Sequence, residues 1–231
     1  MELFENLPLK ECSPQPLEVV TPLGIIELSA IVGEHRLTAQ NSTTFNALEN
    51  GGFAARWELW QGTAEAILCR PDIVEYGPRV SVTDYRAILW RFKAREPTGQ
   101  LSFSSTWRAD YIWKTGDHDT LQYFDAQTWE DGEHDVTIGT EDWVELFHKA
   151  ERNNGLPQRL MAKAKYDLVH PIVQYLQEGI AVNLGEVFSD ENFEIGFGIA
   201  WLSHFGRESA YTSLAANYAL SGILNSANEP R

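Results

Sequence analysis

Two cysteines in 231 residues, Cys12 and Cys69, are too few for a disulfide framework. Cys69 closes the apolar run AEAILC and reads as a small buried hydrophobe rather than a reactive thiol. Basic charge is scarce as well: 18 Lys and Arg stand against 33 Asp and Glu, a net charge of −15. That balance repels phosphate backbones, so nucleic acid is not an expected partner, whereas a basic protein is. Long apolar runs are missing too. The stretch 209–228, SAYTSLAANYALSGILNSAN, has no charge and the length of a membrane span, but eight of its twenty residues are Ser, Thr or Asn. It reads as a helix of small side chains packed closely on the body. The opening MELFENLPLKEC places no basic segment before an apolar core, so the expectation is a cytoplasmic protein without a secretory signal.

Recognisable catalytic and cofactor motifs are also lacking. LSHFG has no glycine two residues before Ser203, and GFGIAW lacks the third glycine of a dinucleotide loop. No phosphate loop, zinc spacing or supported Cys–His pair occurs, so neither a cofactor nor a metal is expected.

What the chain does have is period-two alternation of aromatic and branched residues. In 86–94, RAILWRFKA, Ile88, Trp90 and Phe92 share one side; in 107–114, WRADYIWK, Trp107, Ala109, Tyr111 and Trp113 do. Further strands are expected at 17–20, 24–32, 53–60, 63–69, 79–83, 120–128 and 134–138. Turn signals separate them at Gly51-Gly52, Arg70-Pro71-Asp72, Gly77-Pro78, Pro97-Thr98-Gly99 and Asp131-Gly132. After Thr140 the period becomes helical. Thr140 is the expected N-cap of a helix with the stripe Trp143, Leu146, Phe147 and Ala150. Further helices are expected from Pro157 to Gly179, over SDENFEIGFGIAWLSHF and over ESAYTSLAANYALSGIL. The predicted fold class is therefore α+β: an N-terminal antiparallel sandwich or partly closed barrel over 1–139, and a C-terminal layer of about four helices over 140–231, packed as one unit.

The acidic excess is concentrated. Residues 116–147 hold ten acids and no Lys or Arg, leaving 23 acids and 18 bases elsewhere. Within that run Gly-Asp-His-Asp (116–119) is echoed by Gly-Glu-His-Asp (132–135). Successive turns of a meander would put the two about 30 Å apart, so they cannot share a metal, and each reads as a turn. The alternation in EHDVTI turns His134 inward and Glu133 and Asp135 outward. The pairs Glu145/His148 and Asp167/His170 have the acid-x-x-His spacing of carboxylate-bridged bundles, but both lie off their apolar stripes.

Three readings of function follow. The leading one is a non-enzymatic interaction module (inhibitor, adaptor or assembly subunit) offering Asp117, Asp119, Glu130, Asp131, Glu133 and Asp135 to a basic protein. The second is a ligand- or carbohydrate-binding β-barrel using strand tryptophans. Trp57 and Trp60 are three apart, so on a strand they face opposite ways and one is available to a partner or ligand. The third is an enzyme whose carboxylate and histidine groups are assembled from positions that no local pattern reveals.

Overall fold

The computed structural model describes residues 9–48, 51–72, 82–121, 123–164, 171–203 and 210–228. The chain runs through β1 (Leu9–Glu11), β2 (Glu18–Thr21), β3 (Gly24–Val32), β4 (His35–Leu37), β5 (Thr44–Leu48), β6 (Phe53–Leu59), β7 (Gly62–Cys69) and β8 (Asp84–Ala94). It continues through β9 (Thr98–Trp107), β10 (Thr115–Leu121), β11 (Phe124–Glu130), β12 (His134–Glu141), α1 (Trp143–Glu151) and α2 (Met161–Ala164). It ends with β13 (Val173–Leu176), β14 (Gly179–Val187), β15 (Asn192–Ser203) and α3 (Ala210–Asn228).

Two antiparallel sheets result. The larger has nine strands in the order β1-β5-β6-β7-β8-β15-β12-β11-β10. The smaller has six, β13-β14-β9-β3-β2 with β4 beside β3. Their inner faces meet in one core, where Trp57, Trp90, Ile195 and Phe197 of the large sheet pack with Leu28, Leu101, Phe103 and Val182 of the small one. Burying each such side chain contributes about 1.5–3 kcal/mol. The outer face of the large sheet is covered by α3. There Ala54, Ile67, Leu89 and Ala200 lie under Ala215, Ala216, Ala219, Leu220 and Ile223. The small residues allow a close approach: a Cβ added at Gly198 would stand 1.9 Å from the Ala216 carbonyl oxygen. The uncharged stretch is thus a helix lying on the sheet. Among the described residues no helix is long and apolar enough to cross a membrane.

The expected layer of four C-terminal helices is absent, which corrects both the α+β assignment and the idea of a helical C-terminal region. The protein is mostly antiparallel β; β13 and β15 stand where helices were expected, and β14 fills the link between them. The reason lies in burial. Every residue of β15 from Phe193 to Leu202 is buried, one face in the sandwich core and the other under α3. A strand covered on both sides has no polar face and so no alternation to read. The helix expected at 157–179 begins with a 3₁₀ turn at Gln158–Leu160 and α2, yet Val173 is already extended and paired with Val182.

Elsewhere the period held locally but the boundaries moved. β3, β6, β7, β8 and β12 lie where alternation placed them. The segment 107–114 leaves the ladder after Trp107, although Tyr111 and Trp113 still turn inward and stack at 4.4 Å while Ile112 is exposed. The strand preceding it, β9, buries Leu101, Phe103, Ser105 and Trp107 alternately. The strand expected over 120–128 is broken by a hairpin tip at Tyr123, whose φ is 67°. At the start of α1 the N-cap is Asp142, which accepts from the Glu145 N–H at 2.9 Å, while Thr140 is buried in β12 and donates to the Gly196 carbonyl at 2.8 Å. The Gly77-Pro78 turn, most of the strand expected at 79–83, and Asp167 and His170 lie outside the described residues.

Candidate functional site

The two tryptophans behave differently. Trp57 sits inside β6 and is 0% exposed; its indole N–H donates to the Thr38 carbonyl at 2.8 Å and to Asn41 Oδ1 at 2.9 Å. It is a core residue with a satisfied polar edge. Trp60 lies just past β6 in the turn to β7 and is 68% exposed, and its ring stacks on no other aromatic among the described residues.

Trp60 stands at one end of the sandwich, where three turns from both sheets converge. The first is the two-residue hairpin Gly33-Glu34, closed by the pairing of Val32 with His35. Gly33 has φ 62° there, the conformation that the first position of such a hairpin requires and that glycine adopts at no steric cost. The second turn is Trp60-Gln61, closed by Leu59 and Gly62. The third is the link from β8 to β9 through Pro97. Backbone bonds stitch them together: the Gln61 carbonyl accepts from Arg95 N at 2.8 Å and Glu96 N at 3.1 Å, and Gly33 N donates to the Gln100 carbonyl at 2.6 Å. Arg95 adds a bond from its guanidinium to the Leu59 carbonyl at 2.5 Å. These bonds hold the backbone of the turn that carries the exposed indole.

Between the turns lies a cleft of about 330 Å³, lined by Gly33, Glu34, His35, Trp60, Gln61, Pro97, Thr98 and Gly99. Its volume is at the lower end of the roughly 300–1,000 Å³ typical of small-molecule sites. Gln61 is only 4% exposed, and its Oε1 is buried without a hydrogen-bond partner. Leaving such an acceptor unsatisfied costs about 1–3 kcal/mol, so it requires an explanation. Thr98 completes the polar set; its Oγ1 would be 2.6 Å from a Cβ at Gly33, so the glycine also makes room for the hydroxyl. The cleft thus offers one flat apolar surface at Trp60 and a hydroxyl at Thr98. Of its residues, only Trp60 was singled out by sequence. Pro97-Thr98-Gly99 and Gly33 are visible there as turn formers, but the convergence of three turns spread over 67 residues has no local signature.

The acidic run divides in two. Asp117, Glu130 and Glu133 are exposed, and Asp119 lies on β10 opposite Ala126. Asp131 is a turn residue: its Oδ1 accepts from the Glu133 and His134 N–H groups, each at 2.8 Å. Partial burial pushes its pKa up, but these donors and the His134 ring outweigh that and hold the carboxyl below its usual range. Asp135, by contrast, is 0% exposed, which corrects its expected outward orientation. Asp125, Glu141 and Asp142 are also structural. The Asp125 carboxyl is raised first by burial, and Tyr175 of the facing sheet hydrogen-bonds to it. Glu141 is buried against Lys149 at 2.5 Å.

The twin motifs lie closer than expected. Thr115 pairs with Glu130, so both motifs flank the same end of the β10–β11–β12 meander, and His118 is in a strand opposite Gln127 rather than in a turn. Four residues along and two strands across separate His118 from His134, about 16 Å rather than 30 Å. Among the described residues no three His, Cys, Asp or Glu side chains are grouped as a metal ion would need. Glu145 and His148 do not pair; the His148 ring instead approaches Glu151 at 3.4 Å.

No protein-family model matches this chain, and no curated protein matches it. A solved structure described as "Putative kojibiose phosphorylase from human microbiome" is similar at 9% identity with a TM-score of 0.45, over 88% of this chain and 25% of that one. The chain therefore spans about a quarter of that protein's length.

Proposed function

We propose that the protein is a ligand-binding β-sandwich module whose binding site is the Trp60 cleft. The observation that carries this reading is an indole that is 68% exposed on a cleft of about 330 Å³ where turns of both sheets converge. An exposed indole on a concave surface offers a ligand a large flat area of contact. A paired-acid enzyme is less well supported, because Glu34 is the single carboxylate among the described lining residues. The test is isothermal titration of the protein with small-molecule libraries, followed by Trp60→Ala. A ligand whose affinity falls at least tenfold in that variant supports the cleft; ligands that bind equally to both proteins reject it.

A second reading keeps the acidic surface as a dock for a basic protein. Asp117, Glu130 and Glu133 are exposed, and the nearby Lys114 directs its ammonium to the Asp131 carbonyl at 2.6 Å. Only part of the ten-acid run serves this reading, since Asp135, Glu141 and Asp142 are buried. Charge reversal at Glu130 and Glu133 should slow capture of such a partner at low salt and matter less at high salt. Association rates unchanged across a salt series would leave those acids as solvated surface.

A further inference from the structure

Resting on the reading of the acidic surface as a dock, we infer that its partner supplies an extended segment of alternating basic and apolar residues, which adds as a further strand to the free edge of β10.

β10 is the last strand of the large sheet and pairs only with β11 among the described residues. It is also the longest of the edge strands: seven residues, against three in β1 and β4 and four in β2 and β13. An edge of that length presents a row of backbone groups to which another chain can pair. The register identifies those groups. Asp131 N donates to the His134 carbonyl and Asp142 N to the Tyr123 carbonyl, so the odd-numbered residues of β11 bond toward β12 and the even-numbered ones toward β10. Asp117 pairs with Thr128 and Asp119 with Ala126, so the odd residues of β10 bond toward β11. The N–H and C=O groups of Gly116, His118 and Thr120 therefore face out of the sheet, and all three residues are exposed. One of these donors is guarded: the His118 N–H is held by Asp117 Oδ1 at 2.8 Å.

Charge selects among the strands that could take this edge. Residues 116–147 contain ten acids and no Lys or Arg, and Asp117, Glu130 and Glu133 are exposed on or beside β10. A second copy of β10 laid against the first would set acid against acid, so the edge is protected from pairing with itself. The same field draws in a basic segment.

The two faces of β10 set the pattern of that segment. Gly116 and His118 lie on the face turned to the small sheet: a Cβ added at Gly116 would stand 2.8 Å from the Trp129 indole, and the His118 ring is 4.4 Å from that of Tyr175. The odd positions lie on the other face, where Leu121 packs with the cluster under α3. In an antiparallel addition, the partner residues opposite Gly116, His118 and Thr120 exchange backbone bonds with them, and their side chains extend the face that carries His118 and Tyr175. Apolar residues fit there. The residue opposite Asp117 falls in a non-hydrogen-bonded pair, where side chains approach more closely and a Lys or Arg reaches the carboxylate. That ion pair draws Asp117 away from the His118 N–H and frees the donor for the incoming carbonyl.

The probe is the capped heptapeptide Lys-Val-Lys-Val-Lys-Val-Lys, titrated into the intact protein at low salt and followed by amide NMR. The inference expects saturable shifts centred on β10, with exchange of the Gly116 and Thr120 amides slowed at least tenfold and that of Asp117, already bonded to β11, little changed. N-methylation of the valines removes the donors that face β10 and leaves the charge intact, so it should weaken binding at least tenfold. N-methylation of the lysines blocks only the far edge of the added strand and should leave binding unchanged. Thr120→Pro removes an outward donor alone and should weaken binding at least tenfold without changing the thermal melt. The methylated peptides are compared on the wild-type protein, so the decision stands even where the proline variant fails to fold. Equal binding of the parent and valine-methylated peptides overturns strand addition and leaves the acidic dock standing as a charge-attraction surface. No saturable binding of the parent peptide, or shifts centred away from β10, also overturns the inference, while charge reversal at Glu130 and Glu133 decides the dock reading separately.

Discussion

Replacing Lys149 by Met should expose how the protein holds buried charge on its large sheet. Lys149 lies on the buried side of α1, 8% exposed, with Nζ 2.5 Å from Glu141 Oε1 and 3.9 Å from Glu194 Oε1. It also donates to the Glu194 carbonyl at 3.0 Å. Methionine fills a similar volume, so the change isolates the charge. Glu194 would keep Arg91, its cross-strand neighbour, at 2.6 Å. Glu141 is 1% exposed and among the described residues would keep only the Gly196 N–H, at 3.3 Å. Removing one partner of a buried ion pair typically costs about 3–5 kcal/mol, because the other charge stays behind. Burial already pushes the Glu141 carboxyl above its usual range, although Lys149 opposes the shift. Losing the lysine pushes it higher. Between the unfolded and the raised folded value the folded state binds more protons, so the variant loses stability as pH rises through that window. Urea unfolding at about pH 5.5 and about pH 8, followed by tryptophan fluorescence, should show the larger penalty at the higher pH. Adding Glu141→Met should recover most of it. A penalty under about 1 kcal/mol at the higher pH, or one equal at both, would refute the buried pairing.

Three further outcomes follow from the packing. Gly198→Ala should lower stability by about 1–3 kcal/mol, since the new methyl meets the Ala216 backbone, which cannot swing aside. Gly99→Ala, with nothing within 4 Å of its Cβ, is the control, and thermal melts should separate the two. Asp135→Lys should be severely destabilising because it forces a new charge into a fully buried position, whereas Glu133→Lys should stay within about ±0.5 kcal/mol in the same melts. Trp57→Ala should cost about 3–5 kcal/mol in urea unfolding and Trp60→Ala almost nothing, the reverse of their expected effects on ligand binding.

Part of this architecture was legible in the sequence, and the rest was hidden for identifiable reasons. Alternation revealed β8 because Ile88, Trp90 and Phe92 face the core, and Gly132, with φ 94°, marked a true turn. The same reading failed on β15 because α3 covers its second face and removes the polar half of the signal. Burial of both faces cannot be inferred from twelve residues without knowing that a helix lies over them. The acidic run misled in a related way. Asp135 and Glu141 counted as surface charge because no base lies within 116–147, yet the cation for Glu141 is Lys149, brought over it by α1. The spacing of Trp57 and Trp60 correctly implied different environments. What makes Trp60 more than an isolated exposed ring is the cleft beside it, which forms only when turns remote in the chain converge.

The central claim is that ligand contacts the converged turns and nothing else on the surface. Amide and side-chain NMR shifts recorded during titration with the tightest-binding library ligand test it most directly. The account predicts perturbations centred on 33–35, 60–61 and 97–99, with the exposed acids Asp117, Glu130 and Glu133 unmoved. Perturbations centred on the β10–β12 meander, with Trp60 and Gln61 unchanged, would contradict it.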